Sequence, residues 1–99
     1  MYEQNRVGDY IITYTGKKFY PLDPKPEDIS IIDIAHSLSG LPRFTAHSER
    51  FYSVAEHSIY CAWLARKLEL PTLIQLYALL HDASECITND IARPLKQNL

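Results

Sequence analysis

The Leu70-Pro71 pair constrains this chain most. A proline inside a helix lacks the amide for the i−4 bond, and its ring collides with the preceding turn. Yet apolar residues recur at helical spacing on both sides of it. Val54, Cys61, Leu64, Ala65 and Leu68 come before, and Leu73, Leu76, Tyr77 and Leu80 come after, continuing through Ser84 to about Cys86. One long helix is excluded; two helices joined by a bend remain, with Pro71 near the start of the second. The first has a defined beginning, because Ser53-Val54-Ala55-Glu56 is an S-x-x-E capping box. Asn89 is suited to stop the second helix, and Asp90 to cap a last short helix near Ile91.

Upstream the texture changes. Ile11, Ile12, Thr13 and Tyr14, then Gly16, then Phe19 and Tyr20 predict a short hairpin turned by Gly16. Pro21, Pro24 and Pro26 make the following segment a connector, since prolines forbid both a helix interior and a central strand. From Ser30 the period becomes helical: Ile31, Ile34, Ala35 and Leu38 share one face, Ser30 with Asp33 forms a cap, and Gly40 is a natural stop. Leu41 to Tyr52 reads as loop. The expected class is mainly α, with an N-terminal hairpin and connector over residues 1–29 and a helical core over 30–99.

A chain of 99 residues allows one small domain with a modest core. Its net charge of −2, with no Lys/Arg-rich run, argues against a long nucleic acid partner. A few placed cations still suffice for a substrate carrying phosphates. No apolar run approaches the roughly 18 residues of a membrane span, and MYEQNRVGDY lacks the basic start and apolar stretch of a signal peptide. Cys61 and Cys86 both fall in expected helices and read as reduced, buried thiols of a cytoplasmic protein.

The residues with chemistry to offer are His57, His81, Asp82, Glu85 and Asp90. His57 lies about twelve residues before the Leu70-Pro71 break and His81 about ten after it, so antiparallel packing at ~1.5 Å per residue sets them at equal height. Glu85 follows His81 by one helical turn and projects from the same face. Two imidazoles and a carboxylate suit a divalent ion such as manganese, cobalt, zinc, nickel or iron. Such an ion polarises a phosphoryl group and makes hydroxide available near neutral pH. Glu85 is then placed to orient that water or accept its proton, and Asp90 to align the nucleophile or protonate a leaving alkoxide. His36 and His47 lie in or beside poorly periodic sequence and are read as structural or substrate-edge residues.

Three blocks carry a resemblance: Phe51-Tyr52-Ser53-Val54-Ala55-Glu56-His57-Ser58, Ala78-Leu79-Leu80-His81-Asp82-Ala83-Ser84-Glu85, and Asp90-Ile91-Ala92-Arg93-Pro94-Leu95-Lys96. Together they resemble HD-domain metal-dependent phosphohydrolases, in particular 5′-deoxynucleotidases and the phage dATP triphosphohydrolases. Asp33-Ile34-Ala35-His36 and Leu41-Pro42-Arg43-Phe44-Thr45 are similar too. The resemblance implies an HD-domain-like helical bundle with His57, His81 and Asp82 as metal ligands, manganese to zinc or magnesium being candidate ions. It implies Glu85 as the catalytic carboxylate and Asp90 as a second acid. Arg43 would grip the substrate phosphate, Phe44 would pack near the sugar or base, and Lys96 would stand at the phosphate end.

The same family completes its metal site with an aspartate on a later helix, and no aspartate follows Asp90 here. The expectation is that a longer chain, another chain or a water fills that position. The family's C-terminal helices are likewise absent, which implies self-association or a partner over the exposed helix face. The leading reading is a metal-dependent phosphohydrolase acting on deoxynucleotides, as a 5′-nucleotidase or a triphosphohydrolase. The alternative is an HD-fold module with an incomplete site that binds a nucleotide or a protein. A phosphodiesterase acting on a cyclic or short oligonucleotide is a third reading.

Overall fold

The computed structural model describes residues 5–98. The chain is mainly helical with a short two-stranded antiparallel hairpin near its N-terminus. Strand β1 (Ile11–Ile12) pairs with β2 (Lys18–Phe19) in the register Ile11 to Phe19 and Ile12 to Lys18. The turn between them closes through the Gly16 amide donating to Thr13 O at 2.9 Å. Gly16 sits at φ +90°, where a Cβ would be strained, which is why glycine holds this position.

The hairpin is tied down from both sides. Arg6 donates to Asp23 Oδ2 at 3.0 Å and to Asp23 O at 2.7 Å, with its guanidinium 4.1 Å from the centre of the Tyr20 ring. The Thr15 amide and hydroxyl donate to the two oxygens of Asp33 at 2.7 and 2.9 Å. Asp33 is buried, and burial alone would raise its pKa, but the Thr15 hydrogen bonds outweigh that and hold it below the usual carboxylate range. A lowered pKa contributes stability that is present above the unfolded value near pH 4 and is lost as the pH falls through the folded one. Asp33→Ala should therefore cost about 1–3 kcal/mol at pH 7 and much less at pH 3. Thermal melts at the two pH values check this; equal losses at both would exclude a charge-dependent clamp.

Helix α1 (Ile31–Gly40) starts where Ser30 accepts a hydrogen bond from the Asp33 amide. Helix α2 (Val54–Lys67) starts where Ser53 Oγ accepts from the Glu56 amide at 3.0 Å. The reciprocal half of the expected capping box is diverted, because Glu56 faces Arg50 at 3.7 Å. Helix α3 (Thr72–Leu80) begins directly after Pro71. The helical run then breaks over residues 81–84 and resumes as α4 (Glu85–Thr88), which Asn89 ends at φ +67°. The last helix, α5 (Arg93–Lys96), is entered from Ala92 with no side-chain cap. Asp90 is therefore not the N-cap that its position suggested; its carboxylate is turned toward Arg43 instead.

Consecutive helices joined by a short bend lie antiparallel when they pack, and α2 packs on α3 along its length. Helix α1 packs on α2 and on α4, where Ser37 Oγ donates to Cys86 O at 3.3 Å. Among the described residues the buried apolar ones are Phe19, Tyr20, Leu38, Val54 and Ala65, and Val54 alone is wholly enclosed. Leu64 and Leu68, expected on the buried face of α2, are 54% and 63% exposed, because nothing among the described residues packs against that side. The Cα radius of gyration is 15.5 Å, against roughly 13 Å for a closed domain of this length. The arrangement is open.

Candidate metal centre and its surroundings

The antiparallel pairing brings the beginning of α2 beside the end of α3. His57, one turn into α2, and His81, directly after α3, have ring centroids 5.4 Å apart at 65°. Asp82 reaches both: its Oδ2 lies 3.1 Å from His81 Nε2 and 3.6 Å from His57 Nε2. His81 Nδ1 lies 2.7 Å from Ala78 O, so Nδ1 carries a proton and Nε2 is the nitrogen turned toward Asp82. His57 has a lowered pKa, first by burial and then by the positive charge of Arg43, against the opposing pull of Asp82. It is the neutral, ligating form near pH 7.

A third donor on α2 belongs to this cluster. Cys61 follows His57 by four positions, so both project from one face, with Sγ 3.6 Å from His57 Nε2. Ligand atoms of His57, Cys61 and His81 all lie within 4.8 Å of one another, a group that could hold a metal ion. From sequence Cys61 reads as a buried thiol; its i, i+4 spacing from His57 is the signal that points to the cluster.

Glu85 opens α4 below Asp82 and is buried. Burial first, then the negative charges of Asp82 and Asp90, push its carboxyl up to about 7, with Lys96 pulling the other way. Its Oε1 is enclosed without a hydrogen-bond partner among the described residues. The same is true of Arg43 Nε, whose nearest carboxylate is Asp90 Oδ2 at 4.0 Å. Two buried polar atoms without partners, one anionic in character and one cationic, therefore flank the His-Asp cluster. Native interiors rarely leave such atoms unmet unless a ligand, ion or water satisfies them.

Arg43 is positioned by an unusual backbone. Its amide donates to Tyr52 O at 2.7 Å, and Val54 donates back to Leu41 O at 2.8 Å, so the loop is clipped onto the start of α2. Phe44, Thr45 and Ala46 then follow at φ +59°, +52° and +66°. Three consecutive left-handed residues, one β-branched, cost on the order of 1–3 kcal/mol each. The guanidinium carbon of Arg43 lies 4.9 Å from the centre of the Phe44 ring. Phe44, Tyr52 and Tyr60 stack in sequence at 6.3 Å per step, a row of rings that the sequence did not announce.

The residues singled out from sequence thus gather at one place: His57, His81, Asp82, Glu85 and Asp90, with Arg43 beside Asp90 and Lys96 within electrostatic reach of Glu85. A recess of about 210 Å³ lined by Leu41, Pro42, Thr45, Asn89 and Asp90 adjoins them. A larger cleft of about 760 Å³ lies elsewhere, between the hairpin, α1 and α4. His36 is outside the cluster, stacked on Tyr14 at 3.7 Å, and His47 is exposed.

No protein-family model matches the chain. The chain is 43% identical to the uncharacterized protein YfdR of Escherichia coli over 90 residues, which is 91% of this chain and 48% of that protein. It is 38% identical to an uncharacterized protein of Rhodobacter capsulatus over 86 residues, 83% of this chain and 44% of that one. The chain spans about half the length of these curated relatives. Among the described residues no helix is long and apolar enough to cross a membrane.

Proposed function

We propose that this chain carries the site of a metal-dependent phosphohydrolase of the HD-domain type, acting on deoxynucleotides. The observation that carries the reading is a pair of buried polar atoms without hydrogen-bond partners, one on Arg43 and one on Glu85, beside the His57-His81-Asp82 cluster. Arg43 Nε and Glu85 Oε1 are both buried and accept or donate no hydrogen bond among the described residues. A phosphate ester beside a divalent ion would satisfy both: an oxygen for the arginine, and a proton-bearing water for the carboxylate.

His57, His81 and Asp82 fit a metal ion, because His81 is held in the ligating tautomer and His57 is neutral. When bound, such an ion supplies Lewis acidity toward the phosphoryl oxygen and a lowered pKa for water. The chain's own residues do the rest. Arg43 binds and orients a phosphate oxygen through its planar fork, with Asp90 holding the guanidinium in place. Glu85, enclosed against Asp82, takes the proton of the attacking water and returns it to the leaving nucleoside oxygen. The Phe44-Tyr52-Tyr60 row, exposed at Phe44 and Tyr60, supplies ring faces next to Arg43 on which a base or sugar can rest.

The test is a product assay on the full chain with each deoxynucleoside mono- and triphosphate plus manganese or cobalt. Nucleoside and phosphate from a monophosphate would mark a 5′-nucleotidase; nucleoside and triphosphate from a triphosphate would mark a triphosphohydrolase. Nucleotide binding with no metal-dependent product would overturn the enzymatic reading and leave a binding module.

A further inference from the structure

Cys61 is not accounted for by the His-His-Asp chemistry, and its placement calls for an explanation. It is half-buried, one turn along α2 from His57, and its sulfur faces that imidazole rather than solvent or the apolar side of the helix. Donors bound to one tetrahedral ion, with metal–sulfur near 2.3 Å and metal–nitrogen near 2.0–2.1 Å, stand about 3.5 Å apart. Cys61 Sγ to His57 Nε2 is 3.6 Å, His57 Nε2 to Asp82 Oδ2 is 3.6 Å, and His81 Nε2 to Asp82 Oδ2 is 3.1 Å. The Cys61–His57 separation is that of two donors in one coordination shell, and ligand atoms of His57, Cys61 and His81 all lie within 4.8 Å of one another.

We propose that Cys61 is a metal ligand alongside His57 and His81, in a centre that takes a thiophilic divalent ion and keeps a position open for water or phosphate. The inference rests on the metal-binding part of the proposed function and adds a sulfur donor drawn from this chain itself. On coordination the Cys61 S–H bond breaks, its proton goes to solvent, and the sulfur lone pair forms the metal–sulfur bond in place of one water; nothing is oxidised or reduced. One thiolate and one carboxylate balance the charge of a divalent ion, which two neutral imidazoles and a single carboxylate do not. A thiolate ligand also favours zinc, cobalt and iron over the oxygen-preferring manganese and magnesium. Cys86 provides an internal control, because it lies in the α1–α4 cleft and not in the histidine cluster.

The experiment is cobalt titration of the full chain followed by absorption spectroscopy, with Cys61→Ser and Cys86→Ser beside the unaltered protein. The expected result is visible d–d bands together with a near-ultraviolet sulfur-to-cobalt charge-transfer band. C61S should keep the d–d bands and lose the charge-transfer band, with zinc affinity down at least about tenfold; C86S should keep both. Should a variant fail to fold, iodoacetamide labelling of the unaltered chain followed by mass spectrometry replaces it. Zinc should slow labelling of Cys61 at least about tenfold and leave the rate at Cys86 unchanged. Visible bands without charge transfer, or equal labelling rates with and without bound zinc, would overturn thiolate ligation and leave the metal reading standing. No cobalt bands at all would overturn both.

Discussion

Replacing Asp82 by alanine is expected to remove metal binding and turnover together, each by at least about 100-fold. Asp82 Oδ2 is the group common to the two histidines, 3.1 Å from one Nε2 and 3.6 Å from the other. Loss of groups that merely orient ligands costs 10–100-fold in affinity or activity, so loss of a shared anionic donor belongs at or above the top of that range. The substitution also acts through Glu85. Asp82 is the largest charge effect raising the Glu85 pKa after burial itself, so in the metal-free protein the Glu85 titration should move down. Metal affinity by calorimetry, turnover by the product assay and Glu85 titration by NMR give three independent readings. Undiminished turnover in Asp82→Ala would remove the metal mechanism from consideration.

Glu85→Gln should have the second largest effect, a fall in turnover of about 10²–10⁴-fold with metal affinity little changed. Glutamine preserves shape but can no longer take the proton. Its effect on stability should run in the opposite direction. Glu85 titrates at about 7 in the folded chain against a usual value of 4.5, so it is a group with a raised folded pKa. Its contribution is favourable below about pH 4.5 and is lost as the pH rises through about 7, where the buried carboxylate becomes charged beside Asp82 and Asp90. The metal-free variant should thus be more stable than the parent at pH 8, by about 1–2 kcal/mol after allowance for solvent screening, and equal to it near pH 4. That difference is several degrees in Tm for a chain of this size. A variant that lost both activity and stability at pH 8 would show that Glu85 is structural, not a proton carrier.

Local signals determined the elements. The Ser53 cap, the Pro71 break and the Asn89 stop each act within one helical turn, and each stands where the sequence put it. The sequence set His81, Asp82 and Glu85 on one face of a helix running to about Cys86; the helix instead ends at Leu80, and the three residues meet across a turn over 81–84 that leads into α4. The pairing of His57 with His81 needed one further step, that helices joined by a short bend pack antiparallel, and the 5.4 Å between the rings agrees with it. Asp90 shows where local reading stops. As a dipeptide neighbour of Asn89 it resembled a helix cap, but a carboxylate in reach of a half-buried guanidinium gains more from that charge than from an amide at the start of a four-residue helix.

The tertiary structure alone decided the rest. Phe44, Thr45 and Ala46 carry no glycine or asparagine to announce a left-handed path. That path is imposed by the strand-like clip of Pro42 against Ser53 and the hydrogen bonds on either side of it. The unmet Arg43 Nε and Glu85 Oε1, and the raised pKa of Glu85, exist only when α2, α4 and the Arg43 loop meet. Cys61 became a candidate ligand for the same reason: period places it beside His57, but only the approach of α3 adds His81 to the group. Secondary structure is set by neighbours in sequence. Burial, and the pKa values and donor clusters that follow from it, are set by residues that the chain brings together from far apart.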